Sequence, residues 1–326
     1  MKRRSYIAAG CLGLLCGACE QDFNPKGIFL DRVVVFGVLS QNQTTHFVRL
    51  SSTYDPPGFN PLEHTSSNQI SNAVVTIQVD TTTIAFRDTT LSRNDVSRYQ
   101  DSISAFVASP HTITRGKTYS LAVSVPGYGT MTATTVTPGI GIVEVDFNTR
   151  YSLTNPDVGM EDIVLFATPS ATTEGYLVKV LVEYEVVSQN PGVLLHEEVP
   201  SLTANYQDCL TYDAVYPDIR RRRGFSNREA WIIPYLGYRR TILKILKTHD
   251  GEMIDFHRVI IVMVQADRHF YSYYSLVGGF RDEFTIRVDE PNYSNIEGGL
   301  GMFGSYSADS LFSINLPQDF PKIACP

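Results

Sequence analysis

Several residue groupings in this chain have types that could do chemistry, and their spacing decides what each can do. Gly299-Leu300-Gly301-Met302-Phe303-Gly304 has the glycine spacing of a dinucleotide-binding turn, in which bare backbone approaches a pyrophosphate at a helix start. That chemistry needs a strand before the glycines and a helix after them, whereas the short remainder of the chain reads as a Ser-rich turn and a strand. A Gly-rich loop packed close to other backbone is the expectation instead. Gly116-Lys117-Thr118 ends like a phosphate-binding loop, but His111 stands where its first glycine must be and a strand follows. His196-Glu197-Glu198 lacks the second histidine, one helical turn on, that lets a zinc protease set two ligands on one face.

Asn155, Asp157, Glu161 and Asp162 concentrate oxygen donors around Gly159, and an envelope loop of that kind can hold Ca²⁺. Their spacing departs from the EF-hand loop, so an ordinary solvated turn stands beside that reading. Arg220, Arg221, Arg222 and Arg223 make the one dense positive cluster of an acidic chain. Guanidinium forks match phosphate and carboxylate oxygens, so the cluster can meet a phosphate-bearing lipid headgroup or an acidic partner surface; the alternative is a solvated loop. Phe270, Tyr271, Tyr273 and Tyr274 can stack on sugar rings if exposed, although aromatics at helical spacing more often form a core face. No Gly-x-Ser-x-Gly nucleophile elbow occurs. The expectation is a protein that is not an enzyme, with no catalytic metal and no cofactor.

The cysteines point to an address. Lys2, Arg3 and Arg4 give a positive start, Ile7 to Leu15 an apolar stretch, and Gly17-Ala18 the small residues before a cleavage point, so residues 1–18 read as a signal peptide. Cys19 directly after them resembles the lipobox cysteine of bacterial lipoproteins, with Cys16 where that box usually has Leu. The apolar stretch is well below the ~20 residues that cross a bilayer. Acylation anchors instead, because each buried CH2 contributes about 0.8 kcal/mol and several chains hold where one is marginal. Losing the leader takes the formal net charge from −7 to −10, which argues against nucleic-acid binding through bulk electrostatics. Cys11 and Cys16 leave with the leader; Cys209 and Cys325 remain, either paired in an oxidising envelope or as two buried free thiols.

Strands must position most of these residues. With 43% apolar and 19% charged residues, the 326-residue chain is globular in composition and long enough for two domains. Residues 19–29 form a polar tether. Between 30 and 137, Val33 to Leu39, His46 to Leu50, Ala73 to Val79, Thr83 to Phe86, Ser104 to Val107, Tyr119 to Val125 and Thr130 to Thr134 read as short strands. The first two pair through Ser40 to Thr45, and Pro126-Gly127-Tyr128-Gly129 turns a hairpin. Residues 52–72 read as a long exposed loop of the functional kind. This is the signature of an immunoglobulin-like or transthyretin-like β-sandwich. Pro138-Gly139 marks a boundary, and 138–326 reads as a second β-rich domain with one or two helices. Its strands lie at Ile142 to Phe147, Ile163 to Phe166, Tyr176 to Val187, Val259 to Val264, Phe284 to Val288 and Leu311 to Leu316, with a helix from Ala266 to Arg281.

Cys19, the Val33 to Leu39 strand, Phe47-Val48-Arg49-Leu50-Ser51, Gly116-Lys117-Thr118-Tyr119-Ser120-Leu121 and above all Asn295-Ile296-Glu297-Gly298-Gly299-Leu300-Gly301-Met302-Phe303-Gly304 resemble a Bacteroidota lipoprotein family catalogued as domain of unknown function 4249. The resemblance carries no catalytic residues. It implies a context, since such lipoproteins are commonly encoded beside TonB-dependent outer-membrane transporters, and Glu20 and Asp22 resemble the surface-export signal of that phylum. The expected role is a non-enzymatic outer-membrane lipoprotein that partners such a β-barrel, anchored in the bilayer through Cys19 and aiding cargo capture or gating. The alternative is a surface glycan-binding module or adhesin.

Overall fold

The structure, a computed structural model, describes residues 28–55, 68–92, 102–156, 161–188, 191–204, 213–223, 228–278, 293–318 and 320. It is mainly β, with 52% strand and three helices. The strand readings at Phe284 to Val288, residues 56–67 of the long loop, and Cys19, Cys209 and Cys325 lie outside the described residues.

In the first part of the chain, most strands form where residues are β-branched or alternate apolar with polar. These are β1 (Val33–Ser40), β2 (His46–Ser52), β3 (Val74–Val79), β4 (Thr82–Ala85), β5 (Arg87–Ser92), β6 (Ser102–Ala108), β7 (Thr118–Val125) and β8 (Gly129–Val136). β1 and β2 pair antiparallel, and β7 and β8 close the hairpin at Gly127 and Gly129, both at positive φ as a tight turn demands. β5, Arg-Asp-Thr-Thr-Leu-Ser, is an unforeseen strand. Its residues are mostly exposed, so it lacks the apolar alternation that announces its neighbours, and ladder bonds to β6 hold it.

The second part contains β9 (Ile142–Val145), α1 (Phe147–Thr154), β10 (Ile163–Thr168), β11 (Gly175–Val186), β12 (Leu194–Glu198), β13 (Leu202–Ala204), β14 (Asp213–Val215), β15 (Arg220–Arg221), β16 (Glu229–Ile233), α2 (Tyr235–Thr248), β17 (Ile254–Ala266), α3 (Arg268–Gly278) and β18 (Leu300–Asn315). One or two helices were expected and one was placed; the structure has three, and the positions of α1 and α2 were not foreseen. The Asp146 carboxylate caps α1 by accepting from the Thr149 N–H at 2.7 Å, which ends the β9 strand at Val145 rather than Phe147. In α2 the buried Tyr238, Ile242 and Ile245 recur at helical spacing within a run broken by Arg239, Arg240, Lys244 and Lys247.

One long sheet, in the order β12-β11-β17-β18-β1-β2-β6-β5 with β15 also on β11, backs two smaller layers. The four-stranded sheet β4-β3-β7-β8 covers one end around Val35, Val48, Leu50, Ile77, Tyr119, Leu121, Met131 and Phe303. The three-stranded sheet β16-β10-β9 and α2 cover the other around Val178, Val180, Val182, Leu165, Trp231, Tyr238, Ile242 and Ile261. Each such fully buried aliphatic side chain contributes about 1.5–3 kcal/mol.

β18 joins the two ends. Its first residues run parallel to β1, from Val34↔Leu300 to Ser40↔Tyr306, and its remainder runs antiparallel to β17. The glycines expected in a loop therefore open a central strand, while their close approach to other backbone is as foreseen. Gly301 has φ +112° and a Cβ there would run into the Val35 carbonyl oxygen; a Cβ on Gly304 would meet the Phe270 backbone nitrogen at 2.8 Å.

α3 lies on the other face of the long sheet. Phe270 stacks on Tyr306 with centroids 5.6 Å apart, and Tyr273 meets Phe36 edge-on at 5.5 Å. Tyr271 fills the space left by Gly175. Three of the four aromatics considered for sugar stacking therefore pack on the sheet, and Tyr274 is exposed. Asp267 fastens the helix start. Its buried carboxylate accepts from Thr135 Oγ1 of β8 at 2.6 Å, the Phe270 N–H at 2.8 Å and the Ser305 N–H of β18 at 3.1 Å. At the Pro138-Gly139 boundary, Gln41 Nε2 donates to the Pro138 carbonyl at 2.6 Å and Gln265 Nε2 to the Gly139 carbonyl at 3.1 Å.

Because Gly301 has both a left-handed φ and no room for Cβ, Gly301→Ala should destabilise the protein by about 2–4 kcal/mol. Urea unfolding followed by circular dichroism measures this, and an unchanged midpoint would contradict the stated role of the glycine.

Candidate functional site

The arginine cluster sits where the long sheet's edge meets the small sheet. β15 pairs with the start of β11, Tyr176↔Arg220 and Gly175↔Arg221, so Arg220 shares the inward face with Tyr176 and Arg221 points the other way. The Arg220 guanidinium lies over the Trp231 indole, 3.8 Å from the ring centroid, and Tyr176 meets the same ring edge-on at 5.6 Å. Arg221 Nε donates to Glu174 Oε1 at 2.7 Å. The backbone N–H groups of Arg222 and Arg223 donate to the Glu174 carbonyl at 2.8 Å and to Glu229 Oε1 at 3.4 Å; Arg222 is half-buried and Arg223 exposed. Burial first, with Glu229 adding, pushes the Tyr176 hydroxyl up to about 12. The edge is thus part anchored and part open: Arg221 is spent on an ion pair, and Arg220 caps an aromatic pair.

A second polar grouping was not foreseen. On the solvent-facing side of β12, β11 and β17, Glu183 accepts from Arg258 Nε at 2.7 Å and Nη2 at 3.1 Å, and His196 Nε2 lies 3.1 Å from its other oxygen. His257 Nε2 sits 3.3 Å from Glu185 Oε2 beside the register shift at Glu183/Tyr184. The bulge sets His257 and Arg258 next to two carboxylates on one strand. The residues come from three strands separated in sequence, so spacing could not announce them. The Glu183 side chain is 4% exposed against 43% for each partner, so a buried carboxylate is clamped between two surface cations or donors.

Two of the four calcium candidates bind the ends of helices. Asn155 Nδ2 donates to the Tyr151 carbonyl at 3.0 Å at the end of α1, and Asp162 Oδ1 accepts from the Tyr235 N–H at 3.1 Å at the start of α2. Glu161 is exposed, and Asp157 lies outside the described residues. Among the described residues no three His, Cys, Asp or Glu side chains gather to hold a metal, and no helix is long and apolar enough to cross a membrane.

Burial would raise the pKa of Glu183, but the hydrogen bonds and charges of Arg258 and His196 outweigh it and hold it below the usual glutamate value of 4.5. A carboxylate whose folded pKa is depressed lends stability above its unfolded pKa and loses it as the pH falls. Thermal melts of the wild type should therefore fall in Tm as acid takes the pH below about 4.5, and Glu183→Gln should show a shallower fall across the same window. Parallel curves would remove Glu183 from the acid response.

No curated protein matches the chain. The model of one protein family does, across residues 20–311, a span that takes in most of both cores, the arginine edge and the greater part of β18. The chain belongs to the family described as domain of unknown function DUF4249.

Proposed function

We propose that the chain is a non-enzymatic lipoprotein, held at the outer membrane through acylated Cys19 and facing outward, that serves as accessory subunit of a TonB-dependent β-barrel transporter and helps to capture or gate its cargo. The observation that carries this reading is a pair of exposed isoleucines on the outer face of the three-stranded sheet, on either side of Phe166, which the Arg228 guanidinium covers at 3.8 Å while pairing with Glu144. Ile142 on β9 and Ile232 on β16 are 58% and 57% exposed, on the same face as Val164 and Phe166 of β10. Apolar surface grouped in this way marks an interaction site, and a lipid anchor at Cys19 would present it to membrane proteins. Within the same proposal, residues 30–137 form an immunoglobulin-like or transthyretin-like sandwich domain and 138–326 a second β-rich domain. The two separate apolar cores support that division, although Ile296 and Phe303 of the second span complete the first core.

A second reading, a surface glycan-binding module or adhesin, is favoured by Phe36, Phe47 and Tyr274, all exposed on the α3 side of the long sheet. Exposed rings of this kind can stack on sugars.

Affinity-tagged protein purified from native membranes should bring down a β-barrel, and Ile142→Asp with Ile232→Asp should reduce the recovery. Recovery of the lipoprotein without a barrel would count against the transporter role, and specific binding on a glycan array would promote the second reading. Metabolic labelling with a palmitate analogue should mark the wild type and leave Cys19→Ala unlabelled; equal labelling would remove the anchor from the argument.

A further inference from the structure

The arginine edge has a ligand chemistry that goes beyond the transporter reading. Tyr176 and Trp231 are 0% and 3% exposed, and the Tyr176 hydroxyl and Trp231 Nε1–H are both buried without a hydrogen-bond partner. Such a donor, cut off from water, is costly until an acceptor reaches it. The Trp231 indole and the Glu229 carboxylate both lie near enough to act on the hydroxyl's ionisation, although neither meets it in full hydrogen-bonding geometry.

Arg220 stands over the face of the indole and is the cross-strand neighbour of Tyr176. Among the described residues, Arg221 is the member of the run with a carboxylate within ion-pair distance, and Arg220, Arg222 and Arg223 have none. Among the described residues, three guanidiniums with no carboxylate in ion-pair distance therefore lie near two buried donors, on a chain whose net charge is negative. The guanidiniums, the indole N–H and the phenol donate at this edge, beside the Glu229 carboxylate, which accepts from the Arg223 N–H. Their common complement is an oxyanion, and one bearing more than a single negative charge can engage several guanidinium forks at once.

We propose that this edge is a phosphate-binding site, in which a phosphate group is held by Arg220, Arg222 and Arg223 and brings acceptor oxygens to the Trp231 Nε1–H and the Tyr176 hydroxyl. A phosphate of this chemistry can be free in solution or belong to a lipid headgroup. The site lies apart from the apolar face of the small sheet, since Trp231 and Ile232 point to opposite sides of β16.

Trp231 is the single tryptophan of the sequence, so intrinsic fluorescence reads this site alone. Full-length protein in neutral detergent is titrated with sodium phosphate and, at matched ionic strength, with sodium chloride. The same protein is reconstituted into phosphatidylcholine vesicles with and without phosphatidylglycerol. The expected result is a saturable change with phosphate that chloride does not reproduce. Affinity should weaken about tenfold or more in Arg222→Gln/Arg223→Gln, as loss of charge-assisted hydrogen bonds requires. Both side chains lie outside the two cores, so far-ultraviolet circular dichroism of the variant should match the wild type. Arg220→Lys, which keeps the charge and loses the fork, should weaken the response as well. A response to phosphate alone assigns a soluble source; a further response to phosphatidylglycerol vesicles assigns a headgroup. Equal responses to phosphate and chloride, an unweakened response in the folded double variant, or silence in both arms would overturn the proposal, the last leaving an acidic protein surface as the use of the arginines.

Discussion

The whole sheet depends on how closely β18 can approach β1. A parallel pair needs a continuous ladder of backbone bonds, and here that ladder is laid beneath the Gly-rich run at Gly299 to Gly304. Gly301 meets the Val35 carbonyl and Gly304 the start of α3 in spaces that admit no Cβ. Without that approach β17 and β1 would have no strand in common. The long sheet would fall into two pieces, each with its own core and an open edge.

Polar contacts then fix the geometry that the ladder permits. The Asp267 carboxylate ties β8, α3 and β18 through three donors, and burial, only partly offset by those hydrogen bonds, raises its pKa. Arg115 reaches Asp309 of β18 with two hydrogen bonds, at 2.9 and 2.6 Å, from the turn before β7. Such charge-assisted, bidentate contacts are directional, so they set orientation where apolar packing alone would tolerate sliding. The two ends of the sheet are thereby held in one register although each buries its own apolar cluster.

This arrangement also explains why the surface features lie where they do. The small sheet has one face on the core, which leaves Ile142 and Ile232 uncovered on the other. The arginine edge forms at the point where the two sheets diverge, so Trp231 is core on one side and the floor of a cationic surface on the other. Glu183, His196 and Arg258 occupy the opposite face of the long sheet, beyond the reach of α3, where a buried carboxylate needs partners of its own.

Much of the β-architecture was legible: β2 and β7 alternate apolar with polar residues as strands with one buried face do, and β1 and β10 are short apolar runs rich in β-branched residues. The helical spacing of Phe270 and Tyr274 likewise announced α3, and the signal-like leader and Cys19 suggested an address without any fold. Strands such as β5 and β15 were not legible, since a short polar segment becomes a strand only when a neighbour supplies its hydrogen bonds. Nor could spacing reveal that the glycine run opens a central strand, that Arg220 covers Trp231, or that Glu183 gathers His196 and Arg258. Those pairings join residues far apart in sequence, and only tertiary structure brings such residues within the few ångströms over which hydrogen bonds and ring contacts act.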